Sequence, residues 1–193
     1  MKIRFILLCC LFVSNLSFAQ VTKRHTFKKI GWTIDLPGDF VVTDSSGSRA
    51  HLREGVDMVE NINDIKLDTS EAIVLIVANK NENYFSSMII PFNPAVDGDW
   101  LKEHEGIKVL SYNSVKEAIP NAVIDTSSSG VTLDGVKFDK FTITVSMDGK
   151  IVSTTIFLGK LYKGYDLGIT YSFSDEKTKD QIETMLSKSI FKK

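Results

Sequence analysis

The stretch GKLYKGYDLGITYSFSDE, residues 159 to 176, decides how the chain is read, because its crowded glycines, lysines and tyrosines suit either an anion cradle or a hairpin. A phosphate-binding loop needs glycines that lead from a strand straight into a helix, whose free amides then meet the anion. Here Lys163-Gly164 is followed by Tyr165, Leu167, Ile169, Tyr171 and Phe173 in strict alternation, and a helix becomes possible only at Ser174. Alternation of this kind is the mark of a half-buried strand, so the glycine bends a hairpin and grips no anion.

The neighbouring segments extend the same pattern. Phe141, Ile143, Val145 and Met147 alternate with Thr142, Thr144 and Ser146, and Asp148-Gly149 supplies a tight turn before a return strand from Ile151 to about Tyr162. Val136 and Phe138 sit on the opposite parity, which predicts a β-bulge near Asp139-Lys140. Ser174 is expected to cap a final helix that packs through Ile182, Met185, Leu186 and Ile190.

Upstream, KKIGWTIDL at 28–36 alternates as an entry strand ended by Pro37-Gly38, and a short extended piece follows over 40–43. The polar run at 44–48 reads as a loop, and helical spacing of Leu52, Val56, Val59 and Ile62 predicts a helix over about 49–63. AIVLIVA at 72–78 reads as a strand buried on both faces, with a further strand over 84–92. Asp97 or Asp99 caps the next helix, whose stripe is Trp100, Leu101, His104, Ile107, Leu110, Ser111, Val115 and Ala118, with a break expected at Gly106 and an end at Pro120.

The first nineteen residues form a separate unit. Lys2 and Arg4 precede an apolar core from Ile6 to Val13, and Ser17-Phe18-Ala19 offers a cleavage site before Gln20, the plan of a secretory signal peptide. The core is too short for a bilayer, which needs about 20 apolar residues. A soluble single domain over 20–193, periplasmic or extracellular, is the expectation, with no membrane span. Cys9 and Cys10 both lie in the leader, and neither follows a small residue, so lipidation, disulfides and thiolate metal sites are not expected. Without Lys2 and Arg4 the chain keeps 21 basic against 24 acidic residues, a net charge of −3 that makes nucleic acid a poor partner.

The segments GWTIDLPGDF (31–40), FDKFTITVSMDGKIVSTTIFLGKLYKGYDLGITYSFSDE (138–176) and IETMLSKSIF (182–191) together resemble the PsbP-like superfamily. The resemblance implies an α+β fold, an α/β/α sandwich whose central, mainly antiparallel sheet is flanked by helices, and a binding or accessory role. The chain is also similar to small secreted Bacteroidota proteins whose function is not assigned. No functional residue carries over from either.

Candidate chemistry is sparse. DGDWLKEHE (97–105) collects Asp97, Asp99, Glu103, His104 and Glu105, but not at the alternate spacing of a calcium loop, and reads as a capped helix start. His25, His51 and His104 are not spaced as a helical metal pair, and no Gly-x-Ser-x-Gly elbow occurs. No metal and no cofactor are expected. The aromatic residues Trp100, Tyr162, Tyr165 and Tyr171 are the candidates for a sugar or peptide groove, against the plainer reading as core or half-buried sheet residues. The sequence therefore points to a non-catalytic binding or accessory domain for a protein or small ligand of the cell envelope. The alternatives are an envelope-polymer hydrolase with a dispersed site and a structural assembly component.

Overall fold

The computed structural model describes residues 22 to 192. The expected leader and its expected cleavage site lie outside the described residues. The chain order is β1 (Thr22–Phe27), β2 (Trp32–Pro37), β3 (Val41–Val42), α1 (Ser45–Asn63), β4 (Ile73–Lys80), β5 (Asn83–Pro91), α2 (Pro94–Asp97), α3 (Trp100–Ala118), β6 (Val123–Leu133), β7 (Val136–Met147), β8 (Lys150–Tyr162), β9 (Tyr165–Phe173), α4 (Glu176–Ser187) and β10 (Ile190–Phe191).

Seven strands form one sheet in the order β3-β4-β5-β9-β8-β7-β6, and β1-β2-β10 form a second, smaller one. Every pairing in both is antiparallel. The hairpin reading of 159–176 holds: Lys163 and Gly164 take positive φ of 51° and 76°, and Tyr162 faces Tyr165 across the turn. Asp134-Gly135 and Asp148-Gly149 turn in the same way.

The large sheet carries a layer on each face. On one side its core residues Phe85, Ile89, Phe138, Ile156, Leu158, Leu167 and Ile169 meet Trp32, Ile34 and Leu36 of β2 and Ile182, Met185 and Leu186 of α4. On the other side α3 packs Val115 and Ile119 onto Phe141, Ile143 and Val145. There α1 lies beside α3, joined by the hydrogen bond Asn63 Nδ2 to Ser114 Oγ at 3.1 Å. The result is the expected α/β/α sandwich, with the smaller sheet sharing the α4 layer.

Two faces explain the parity change in β7. Val136 and Phe138 point to the β2 and α4 side, whereas Phe141, Ile143 and Val145 point to α3, and β6 pairs β7 without a break. The bulge predicted at Asp139-Lys140 is therefore absent; the irregularity lies between β7 and β8, where Val145 faces Ser153 and Ser146 faces Ile151.

Other local expectations shift for similar reasons. Residues 44–48 are no loop: Asp44 accepts from Gly47 N at 2.7 Å and so caps α1, whose first turn is the serine-rich run. Gly106 lies within an unbroken α3. Asp99 is the cap of α3 and Asp175, not Ser174, the cap of α4, accepting from Thr178 N at 2.8 Å. Ile190 is half exposed, and Phe191 beside it enters the core instead, stacked on Trp32 at 5.7 Å. The added strands β1 and β10 complete β2 on both edges. Lys28 to Gly31, read as the start of a strand, form the turn between β1 and β2.

Candidate functional site

A single row of residues across the α3 face defines the site. Gly130 of β6 faces Asp139 of β7, Asp139 faces Gly159 of β8, Gly159 faces Gly168 of β9, and Gly168 faces Met88 of β5. Neighbours in register point to the same face of a sheet, so three glycines in five positions leave a trench floored by bare backbone. Asp139 is the one ionisable side chain in it.

Helix α3 lies over this trench, and its inward stripe is polar. The stripe read from the sequence holds at His104, 8% exposed, but is corrected at Leu101 and Ile107, which are 64% and 47% exposed, and it missed Lys108, which is 6% exposed. The imidazole of His104 fills the space above Gly159; a Cβ there would stand 2.1 Å from His104 Cε1. On its other side the ring stacks against the Trp100 indole, centroids 4.8 Å apart and planes 13° apart.

Charges in the trench are matched locally. Asp139 Oδ2 lies 3.0 Å from His104 Nε2 and 2.5 Å from Lys108 Nζ, and Lys108 also reaches Glu105 Oε1 at 2.6 Å. His104 Nε2 and Asp139 Oδ2 are both buried and lie side by side without hydrogen-bond alignment. Burial alone would lower the Lys108 pKa, but the Asp139 and Glu105 carboxylates outweigh it and hold the ammonium above its ordinary range. Trp100 Nε1–H donates to Asp166 Oδ1 at 2.8 Å. Burial pushes the Asp166 carboxyl up, partly offset by that bond and by His104.

The helix covers the inner part of the row only. At the β6 end a cavity of about 450 Å³ remains, lined by Trp100, Leu101, Ser128, Gly130, Lys137 and Asp139 among others. Lys137 lies along Gly130, its Cε 3.4 Å from where a Cβ would be. A larger, shallow cavity of about 810 Å³ separates α4 from the edge of the small sheet. Its Asp35 is already held by Arg24 through two bonds of 2.7 and 2.8 Å, and the cavity gathers no such buried polar row.

Of the four aromatic candidates, Trp100 borders the cavity. Tyr162 and Tyr165 oppose each other on the opposite face and pack against the main core, Tyr162 edge-on to Phe191 at 5.6 Å. Tyr171 is 2% exposed, its hydroxyl 3.5 Å from Glu183, and burial with that carboxylate raises its pKa. The structure thus separates the tyrosines from Trp100. The glycine row went unread in the sequence, although Gly159 and Gly168 stand equidistant from the Lys163-Gly164 turn.

No protein-family model matches the sequence, and no curated protein matches it. Among solved structures, the chain is similar to the solution structure of cyanobacterial PsbP (CyanoP) from Synechocystis. The two share 11% identity and a TM-score of 0.57, over 90% of this chain and 94% of that one.

The chain has a PsbP-like fold.

LpqN of Mycobacterium tuberculosis, described as involved in cell envelope biogenesis, is a more distant likeness. It has 11% identity and a TM-score of 0.42, covering 84% of this chain and 83% of that one. At 11% identity the PsbP-like likeness shows the fold but no site residue. The glycine row and its polar helix face are properties of this chain's own side chains.

Proposed function

We propose that the mature chain is an exported, non-catalytic binding domain that takes a protein segment or small ligand in the open end of the glycine trench. The observation that carries this reading is the half-filled row: His104 of α3 occupies the space above Gly159, yet Gly130, Lys137, Asp139 and the edge of Gly159 still line a cavity. Concave sites with a few convergent polar groups on an aromatic wall are the usual form of a ligand pocket. The leader-like first nineteen residues support an envelope location. Among the described residues no helix is long and apolar enough to cross a membrane.

The hydrolase alternative needs a hydroxyl within hydrogen-bond reach of His104, since an imidazole activates serine only through that contact. Ser128 lines the cavity, but among the described residues His104 is paired with Asp139 and stacked on Trp100, with no serine bonded to it. The test is to incubate the mature protein with extract of its native envelope and identify retained species by native mass spectrometry, beside a Gly130→Leu variant. A species held by the wild type and lost from the variant supports the reading. Retention by both, retention by neither, or turnover of an envelope polymer that His104→Ala abolishes would overturn it.

A further inference from the structure

The trench opens onto an unprotected sheet edge. β6 is the last strand of the seven, eleven residues long, and paired on one side only among the described residues. Its sequence VIDTSSSGVTL holds no proline, no lysine and no arginine, and its pairing with β7 is unbroken. Asp125 to Gly130 are exposed throughout. Soluble proteins ordinarily blunt such edges with prolines, lysines, bulges or very short strands. The opposite edge follows that rule, since β3 has two residues.

We propose that β6 receives an extended peptide of a partner protein by antiparallel strand addition, with an acidic side chain of that peptide in the trench cavity. In strand addition the main chain supplies affinity and pockets for alternate side chains supply selectivity. The incoming residue opposite Gly130 would continue the row Gly130, Asp139, Gly159 and Gly168, and so point to the α3 face. Gly130 has no side chain to block it, and the cavity lies directly beyond. Lys137 and Lys160 both line the cavity, and Lys137, which lies along Gly130, has no ion pair or hydrogen bond among the described residues. Asp139 is already met by Lys108 and His104, which leaves the lysines of the lining to select the guest. An acid is the complementary group.

The proposal rests on the binding reading above and deepens it. Three capped nonapeptides of alternating threonine and valine, with glutamate, glutamine or lysine at the centre, are titrated into the ¹⁵N-labelled mature protein. The expected result is shifts along Val123–Leu133 and at the Trp100 indole, with the glutamate peptide binding about five- to tenfold tighter than the lysine peptide. In Lys137→Gln the preference for the glutamate peptide should fall, with Lys160 left as the remaining lysine of the cavity lining. A glutamate peptide N-methylated at alternate residues should not bind, a control that leaves the protein untouched. Shifts elsewhere, preference for lysine, a preference unchanged in Lys137→Gln, or no binding by any peptide would overturn the proposal. So would concentration-dependent dimerisation through β6, which would make a second copy the occupant. If peptides fail while an extract species is still lost from Gly130→Leu, the binding reading stands and strand addition falls.

Discussion

Gly159 and His104 are a fitted pair: the helix can lie on the sheet because one residue has no side chain where the other places its ring. A Cβ on Gly159 would stand 2.1 Å from Cε1, 2.7 Å from Nε2 and 2.8 Å from Nδ1 of His104. Gly159→Ala should cost about 1–3 kcal/mol of stability, the usual range for overpacking. The same substitution in a His104→Ala background should cost clearly less. Denaturant unfolding of the four proteins gives the coupling, and equal costs in both backgrounds would show that the ring does not depend on this glycine.

The indole of Trp100 serves Asp166 as well as the cavity. Trp100→Phe keeps an aromatic stack on His104 but removes the donor, leaving a mostly buried carboxyl unpaired at about 1–3 kcal/mol. Asp166 has a folded pKa above its ordinary 3.8, so the native state holds that proton more tightly than the unfolded chain. Its charge therefore opposes folding at neutral pH, and this penalty fades as pH falls through the raised value. Asp166→Asn should gain stability relative to wild type at pH 7 and lose that advantage in acid, as thermal unfolding across pH would read.

Lys108 titrates in the other direction. Its folded pKa lies above the ordinary 10.5, so the contribution of its carboxylate contacts is fully present below that value and is lost as pH rises through the folded one. Lys108→Met should flatten the alkaline limb of the stability profile. At pH 7 it should cost about 1–3 kcal/mol, less than a fully buried pair because Asp139 retains some solvent. An unchanged alkaline limb would rule out the pairing.

Phe191 holds the chain end in the core. Its ring meets Trp32 and Phe138 at 5.7 Å and Tyr162 at 5.6 Å. Phe191→Ala should cost about 3–5 kcal/mol, whereas Ile190→Ala, at a half-exposed position, should stay within about 0.5 kcal/mol. Urea midpoints of the two variants are the check.

The strands β7, β8 and β9 were legible because turns and alternation agree: Asp148-Gly149 follows one alternating run and Lys163-Gly164 precedes another, and both take the positive φ that such turns need. The polar β6 offered no such alternation. Parity misled at Phe138 and Phe141, since alternation alone cannot tell a bulge from a strand whose two halves are covered on opposite faces. The α3 stripe misled for a related reason. Periodicity counts apolar residues, whereas this helix turns Lys108, next to the correctly placed His104, to the sheet because Asp139 awaits it. The Gly159 and Gly168 pairing could be counted from the turn, but extending the row to Asp139 required the irregularity beyond Val145, which no residue type announces. β1 and β10 lacked the alternation that marks the longer strands, and their partner β2 reveals them only in three dimensions.

The central claim is that the β6 end of the glycine row is an open site. Its most direct measurement follows the Gly130 and Lys137 amides and the Trp100 indole by ¹⁵N NMR as a species retained from envelope extract is added. The account predicts that these three signals move together in the wild type and that the response is lost in Gly130→Leu. Binding that leaves them still, or moves them equally in the variant, would contradict it.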